Sequence, residues 1–292
     1  MATQARLEVQ TALVPRRRKP FPWGTLFTLL ILGFGAVLMI APFLWIISAA
    51  FGKTTEVFVL PPRWFPPSVS FKNFEDVFKQ LPYHLFMFNS LKLAIIVTVG
   101  QLITCSMAAY AFARLHFPGR NTLFLLLLAS LMIPGQITIV PLFILVRNLG
   151  LYNTHTALIL PGLVSPFGVF LLRQYFITLP TELEDAARVD GASTFTIYWR
   201  IILPLSGPVL TTLAILTFVG MWNSYFFPLI MINSPELQVI TVGLTLLRGQ
   251  YGTGALGQIA AALAMAIVPV LIVFLALQKY IIRSIVSTGL KT

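Results

Sequence analysis

The sequence has few of the residues on which the chemistry of a soluble enzyme usually depends. Its 292 residues include one cysteine, three histidines and nine acidic residues. The single Cys105 excludes a disulfide within the chain and a cysteine-based metal site. His84, His116 and His155 lie too far apart in sequence to predict a joint metal site. Charged residues make up 10% of the chain, against about a quarter in an ordinary soluble domain, so such a domain is excluded.

Motifs that would let the chain supply its own energy are also missing. It has no phosphate-binding G-x-x-x-x-G-K-[ST] loop, and neither H-E-x-x-H nor G-x-S-x-G occurs. An ion-coupled carrier usually keeps carboxylates or histidines in mid-membrane, and the middle parts of the predicted spans contain none. Lys92 lies near the outer end of a span, where a lysine can extend its amine to the interface. An intramembrane enzyme and an ion-coupled carrier or channel are therefore disfavoured, and the energy must come from a partner.

Long apolar runs dominate what is present. Hydrophobic residues make up 57% of the chain and the mean hydropathy is +0.87, which predicts an all-α membrane protein. We expect a membrane domain over 23–292 with six spans at about 25–50, 89–112, 122–146, 154–176, 205–232 and 257–278. The polar segment 1–22 is predicted to be a cytoplasmic N-terminal segment, because the first apolar run is too long for a removable signal sequence. Pro134 and Pro141 predict a kinked or broken third span that lines a cavity.

The basic residues predict the orientation of the chain. Most of them lie before the first span, after the second, fourth and sixth spans, and in the polar stretch that follows the fourth. The excess predicts that both termini and the stretch 179–204 lie in the cytoplasm, with outward loops at 51–87 and 235–254. Because these residues flank apolar runs and do not cover one face of a soluble domain, nucleic-acid binding is not expected.

The stretch 179–208 is the one long polar segment in the second half of the chain. Thr181 and Glu184 have the spacing of a capping box, which predicts that a helix starts there. Gly191 suits the left-handed residue that ends a helix. One face of this helix is predicted to carry Leu183, Ala186, Ala187 and Asp190. A second short helix with an apolar and aromatic stripe is predicted to follow, formed by Phe195, Tyr198, Trp199 and Ile202.

On local chemistry alone, this stretch could be an ordinary amphipathic loop between two spans. Its full spacing, Asp185-Ala186-Ala187, three residues, Gly191, nine residues, Ile201, one residue and Leu203-Pro204, resembles the cytoplasmic coupling-loop signature of ABC importer permeases. Asp185 replaces the usual Glu at the first position. Further segments resemble the carbohydrate branch of these permeases: Pro42-Phe43-Leu44-Trp45, Ala109-Tyr110-Ala111-Phe112-Ala113-Arg114, Met132-Ile133-Pro134 and Trp222-Asn223.

The chain is thus similar to the shorter, maltose-permease-like membrane subunit of sugar ABC importers in the binding-protein-dependent transport inner-membrane component family. The resemblance implies an ABC type I importer permease fold with a cytoplasmic coupling helix, in a bacterial or archaeal cytoplasmic membrane. It implies a second permease, two ATPase subunits and an extracytoplasmic sugar-binding protein as partners. ATP and Mg would bind the ATPases, with no cofactor in this chain. Residues expected to couple to the ATPases are Glu184, Asp185, Ala186, Ala187, Asp190, Gly191, Ile201, Leu203 and Pro204.

A substrate site is expected near the middle of the bilayer, where broken helices and polar side chains meet. Candidates are Asn223, Ser224 and Tyr225 on the fifth span and Gln136 and Thr138 beside Pro134. Amide, hydroxyl and aromatic groups suit a neutral, hydroxyl-rich ligand such as a sugar. For Trp222 and Tyr225, an interfacial aromatic belt or helix packing remains an alternative. Many members of the resembled family have an acidic residue at the position of Ser224, and an ABC importer for another solute also remains open.

Overall fold

The structure, a computed structural model, describes residues 23–53, 64–66, 68–251 and 256–289, and the side chains at 23, 248–251 and 279–289 are not described. The chain divides into two units, Met1–Trp45 and Ile46–Thr292. Within the described ranges every regular element is a helix or helical turn. The predicted cytoplasmic segment 1–22 lies outside the described residues.

The helices are numbered here in chain order. They are α1 (Trp23–Phe51), α2 (Lys72–Gln80), α3 (Tyr83–Arg114), α4 (Arg120–Ser130), α5 (Ile139–Asn148), α6 (Thr156–Gly162), α7 (Pro166–Ile177), α8 (Glu182–Val189), α9 (Thr194–Leu205), α10 (Gly207–Trp222), α11 (Phe226–Met231), α12 (Ile240–Tyr251) and α13 (Leu256–Gly289).

Several of these helices are long and apolar enough to cross a membrane. By length and composition, the described residues supply four such helices: α1, α3, α13 and the α6–α7 stretch Thr156–Ile177. A fifth is present if α9 and α10, which meet at an angle of 78°, form one bent span. In the predicted third span, α4 and α5 have only 11 and 10 residues. The predicted break in that span is confirmed, since the chain is non-helical from 131 to 138.

Two predicted outward loops contain helices. The segment 51–87 includes α2 and the start of α3, which begins at Tyr83 and not at Asn89. α2 forms because its apolar face packs inward through the buried Val77, while Glu75 and Lys79 pair on the other face at 3.5 Å. The segment 235–254 contains a short 3₁₀ turn and α12, and its residues 252–255 lie outside the described residues.

Two spans predicted as continuous are interrupted. The span at 154–176 is interrupted between α6 and α7, because Pro166 forces Ser165 into an extended conformation (φ −130°, ψ 117°). The span at 205–232 is interrupted at 223–225, where Pro228 has no N–H to continue the helical ladder back to Ser224. Side-chain patterns alone do not reveal these breaks, since the residues on both sides of each remain apolar.

The α6–α7 break is stabilised by side chains of α3. Gln101 Nε2 donates to Gly162 O at 2.7 Å, and the Thr104 hydroxyl donates to the carbonyl of Leu163. Gly100 allows the close approach, because a Cβ at that position would lie 2.3 Å from Leu163 Cδ2. Carbonyls freed by a break inside a membrane need protein partners, and α3 provides them.

α3 is the central helix of the unit Ile46–Thr292. Tyr83 and Phe86 belong to one buried apolar cluster, Leu93 belongs to a second, and Cys105 and Tyr110 belong to a third. The third cluster also contains residues of α7, α9 and α10, so it joins the membrane helices to the polar stretch 179–204. Movement of α3 would therefore displace side chains in all three clusters.

Candidate coupling site and transport pathway

The helix predicted in the polar stretch is α8, and it begins after Thr181 as expected. The predicted capping box does not form, because the Thr181 side chain makes no capping hydrogen bond. Glu184, predicted to complete the box, is buried and its carboxylate forms an ion pair with Arg114 instead. Glu182 and Asp185 remain in the first turn, where negative charge is favoured by the free N–H groups of the helix.

The end of α8 matches the prediction for Gly191. This residue has φ +80°, the left-handed conformation that glycine adopts at low cost. Gly191 N donates to Arg188 O at 3.0 Å and Ala192 N donates to Ala187 O at 2.9 Å, which together form a Schellman motif. A Cβ at Gly191 would meet no atom within 4 Å, so the space beside it is open.

The two faces of α8 differ from the predicted arrangement at one position. Ala187 is turned toward the chain and packs against the third cluster. Leu183, Ala186 and Asp190 are exposed as predicted, and Val189, which the sequence analysis did not single out, is 88% exposed. The outer face of α8 is thus a shallow surface of small and aliphatic side chains that ends at Gly191.

The inner face of α8 is tied to α3 by charge. Arg114 Nε lies 2.9 Å from Glu184 Oε1, and the two side chains are 8% and 3% exposed. The same guanidinium donates from Nη2 to the carbonyl of Leu179, 2.6 Å away. Arg188 reaches Glu184 at 3.6 Å and Asp185 at 3.1 Å from the half-exposed side.

The predicted second helix is α9, but its aromatic stripe does not lie on one face. Tyr198 and Ile202 are buried, whereas Phe195 is 64% and Trp199 is 60% exposed. The turn Tyr198–Ile202 is π-helical, with Leu203 N donating to Tyr198 O. A π turn fits here, since Pro204 has no N–H to bond the carbonyl four residues earlier.

The remaining coupling candidates take different positions along α9. Ile201 and Leu203 are half-buried against the third cluster, and Pro204 is exposed near the end of the helix. Tyr198 joins this helix to α3, because its ring lies 5.4 Å from that of Tyr110 and its hydroxyl lies 2.8 Å from Ser106 Oγ. Both α8 and α9 therefore rest on the last turns of α3.

The five substrate-pathway candidates lie at two breaks. Gln136 and Thr138 are exposed between α4 and α5, and Thr138 Oγ1 donates to Gly135 O at 2.9 Å. Asn223, Ser224 and Tyr225 form the break between α10 and α11, with Ser224 O accepting from Thr241 Oγ1 at 2.6 Å. Trp222 is 3% exposed and donates to Ala266 O at 3.2 Å, so it packs between helices and is not part of an interfacial belt.

A cavity of about 210 Å³ adjoins the second of these breaks. Ser224 lines it, whereas the other four candidates do not. Ser90 adds a second hydroxyl, and the rest of the lining is mainly apolar, including Leu93, Leu142, Met221 and Phe227. Ligand pockets for drug-sized molecules usually have about 300–1,000 Å³, so this cavity lies below that range.

The fold and the site together define a class: an α-helical membrane permease subunit that presents a short polar helix beside its membrane helices. The family of binding-protein-dependent transport system inner membrane components matches residues 100–287, and this chain belongs to that family.

Similar proteins support the same class. The chain is 39% identical over 280 residues to the arabinooligosaccharides transport system permease protein AraQ of Halalkalibacterium halodurans, covering 94% of this chain and 99% of the relative. It is 31% identical over 261 residues to the sn-glycerol-3-phosphate transport system permease protein UgpE of Yersinia enterocolitica, covering 87% and 93%. Its fold matches, with a TM-score of 0.80 and 23% identity, a chain from the crystal structure of a bacterial ABC transporter involved in the import of the acidic polysaccharide alginate, covering 91% and 99%.

Proposed function

We propose that this chain is one of two different permease subunits of a sugar importer that is driven by two ATPase subunits and supplied by an extracytoplasmic sugar-binding protein. ATP and Mg bind on the ATPases, and the chain forms half of the pathway. Both of its termini and α8 lie in the cytoplasm. The family and the relatives named for carbohydrate transport support this proposal.

One observation carries the coupling role. The outer face of α8, with Ala186, Val189 and Asp190, is left uncovered by the described residues of this chain. Small side chains and the open space beside Gly191 give a partner close access to the helix backbone. We assign this face to an ATPase subunit. Asp185 lies beside it, and Glu184, Ile201, Leu203 and Pro204 hold its position from within the chain.

The pathway role follows from the break between α4 and α5. All residues from Leu131 to Thr138 are exposed, and they combine apolar side chains with non-helical backbone. Non-helical backbone at membrane depth is tolerated where protein covers it or where it lines a water-filled cavity, and not where it faces lipid. We therefore assign Gln136 and Thr138 to a pathway shared with the second permease, and Ser224, flanked by Asn223 and Tyr225, to the same pathway.

A substitution at Gly191 tests the coupling role. We expect Gly191→Leu to lower ATP-dependent uptake of a labelled arabinooligosaccharide at least tenfold while the protein remains in the membrane. A Cβ at this position meets nothing within this chain, so a loss larger than that caused by the backbone strain alone would come from a blocked partner. Uptake would be measured in cells that produce the complete transporter, with the membrane content checked by immunoblot.

Gly150→Leu is the matched control. Gly150 also has positive φ, at +69° against +80° for Gly191, and a Cβ there also meets nothing within 4 Å. Both substitutions impose a left-handed strain of about 1–2 kcal/mol on the chain. Gly150 lies between the predicted spans at 122–146 and 154–176, on the side of the membrane opposite to the predicted cytoplasmic stretch 179–204, so its variant should transport at the unmodified rate. Equal uptake by the two variants would refute the coupling role of this surface.

A further inference from the structure

The ion pair between Glu184 and Arg114 joins two elements that lie far apart in the sequence. We infer that Arg114 is a positioning residue through which movement of α8 is passed to α3; this inference rests on the proposed function. Because Glu184 is turned inward, its carboxylate is not available to a partner. Glu184 therefore contributes to coupling through its contact with Arg114.

The geometry of the pair suits a rigid connection. Arg114 forms two contacts at once, with Glu184 at 2.9 Å inside α8 and with the carbonyl of Leu179 at 2.6 Å just before it. The first contact is a close ion pair and the second is a hydrogen bond, so one guanidinium holds both the carboxylate of α8 and the backbone just before α8 close to α3. Water is largely excluded from both side chains, so the attraction is weakly screened.

An alternative route for movement runs along the chain from α8 through α9 to α10. The helix axis turns by 78° between α9 and α10, which makes this route a poor transmitter of force along an axis. α9 is itself held to α3 by the contacts of Tyr198 with Tyr110 and Ser106. Both elements of the polar stretch therefore act first on α3.

From its inner end, α3 leads without a break to the middle of the fold. Gln101 bonds Gly162 at the α6–α7 break and accepts from Thr217 Oγ1 of α10 at 2.8 Å. A displacement of Arg114 along the axis of α3 would thus reach α6, α7 and α10 together. This arrangement makes α3, and not the chain segment after α8, the first moving part.

The test compares the movement of α8 with that of α3 inside the complete transporter. Spin labels are placed at Glu182→Cys on α8 and Ile103→Cys on α3, both exposed, in a Cys105→Ser background that keeps a donor for Ser165 O. The distance between the labels is measured by pulsed electron paramagnetic resonance in two states of the transporter, one without nucleotide and one with ATP and vanadate. With the ion pair intact, we expect this distance to change by less than about 2 Å, the size of a helix shift at an interface.

The decisive variant is Arg114→Met with Glu184→Met. Replacing both partners avoids a buried charge without a partner, and such apolar replacements are commonly tolerated. We expect the label distance in this variant to shift between the two nucleotide states, or its distribution to broaden at least twofold. The matched control is Glu75→Met with Lys79→Met, which removes an ion pair with 65% and 71% exposed side chains and should leave the distance unchanged.

Two results would overturn the inference: a label distance that already shifts with the ion pair intact, or one that stays constant in the double Met variant. A separate measurement isolates the proposed function. Ala186→Cys should form a cross-link to an ATPase subunit whether or not the ion pair is present. If Ala186→Cys alone forms no cross-link, docking of an ATPase at α8 is rejected. If the cross-link forms with the ion pair intact and is absent only in the double Met variant, the pair merely holds α8 in place, and transmission through Arg114 is rejected.

Discussion

Asn153 combines a backbone and a side-chain role in the turn before α6. It is the only non-glycine residue with positive φ among those that the structure describes, at +59°. Its Oδ1 accepts from the backbone N–H groups of Asn233 at 2.9 Å and Ser234 at 2.8 Å. Its Nδ2 donates to Ser234 Oγ at 2.7 Å. The Asn153 side chain thus holds the start of the segment between α11 and α12 through three hydrogen bonds.

Substitutions at Asn153 should separate these two roles. Asn153→Gly keeps the left-handed conformation and loses the side-chain bonds, at a cost of about 1–2 kcal/mol. Asn153→Ala loses the side-chain bonds and also strains the left-handed backbone, so we expect it to lower stability by about 1 kcal/mol more than Asn153→Gly does. Asn153→Asp keeps the two acceptor contacts and should be the mildest of the three. Thermal unfolding of the purified chain in detergent measures the order, and equal effects of Gly and Ala would contradict a conformational role.

Residue-scale predictions from sequence succeeded where the signal was local. The sequence predicts that Gly191 ends a helix in the left-handed conformation, because the presence of glycine indicates this conformation without help from any distant residue. Glu184 was misread as a cap because its true partner, Arg114, belongs to a distant helix, and no local spacing indicates it. The exposure of Val189 was also missed, since an isolated valine in a polar stretch carries no sign of which way it faces.

At the scale of elements, the break between α6 and α7 is the clearest case of one helix stabilising another. Its carbonyls depend on donors from Gln101 and Thr104. The sequence predicts a break near Pro134, and the structure has it; the break before Pro166 is not predicted. Prolines near the start of a helix are as compatible with a new helix as with a kink, so a pattern of apolar residues does not decide between them.

We expect Gln101→Leu and Thr104→Val each to lower stability by about 1–3 kcal/mol, because each leaves a partly buried carbonyl without this donor. Thr104→Ser keeps the hydroxyl and should have little effect. Thr211→Val is the control, because the Thr211 hydroxyl bonds a carbonyl of its own helix region, Gly207 O at 2.8 Å. Urea or thermal unfolding in detergent gives the values, and an equal loss in Thr211→Val would show that any lost hydroxyl is costly.

At the scale of the whole molecule, the orientation of the chain decides whether α8 can meet an ATPase. Hydropathy predicts the membrane fold class, and the spacing from Asp185 to Pro204 carries the resemblance to the family; both the fold class and the family are confirmed. The assignment of inside and outside remains a prediction, as does the count of six spans. The positions of the breaks were only partly predictable, because they depend on contacts between helices that no single segment encodes.

Two matched cysteine variants test the orientation in the Cys105→Ser background. Glu182→Cys lies in the first turn of α8 and Glu236→Cys in the turn before α12, and both glutamates are exposed. In intact spheroplasts, a maleimide that does not cross membranes should label Glu236→Cys and leave Glu182→Cys unlabelled until the membrane is permeabilised. The reverse pattern would place α8 outside and remove the basis for ATPase coupling.

The contact of α3 with the polar stretch has a practical consequence for building hybrid transporters. Transplanting residues 179–204 alone into a foreign permease would separate Glu184 from the guanidinium that secures it. A functional graft should also include the last turn of α3, so that Glu184 of the transplanted stretch keeps its ion pair with Arg114. If α8 docks on an ATPase as proposed, chimeras cut only at loop boundaries should bind that ATPase and still fail to move substrate.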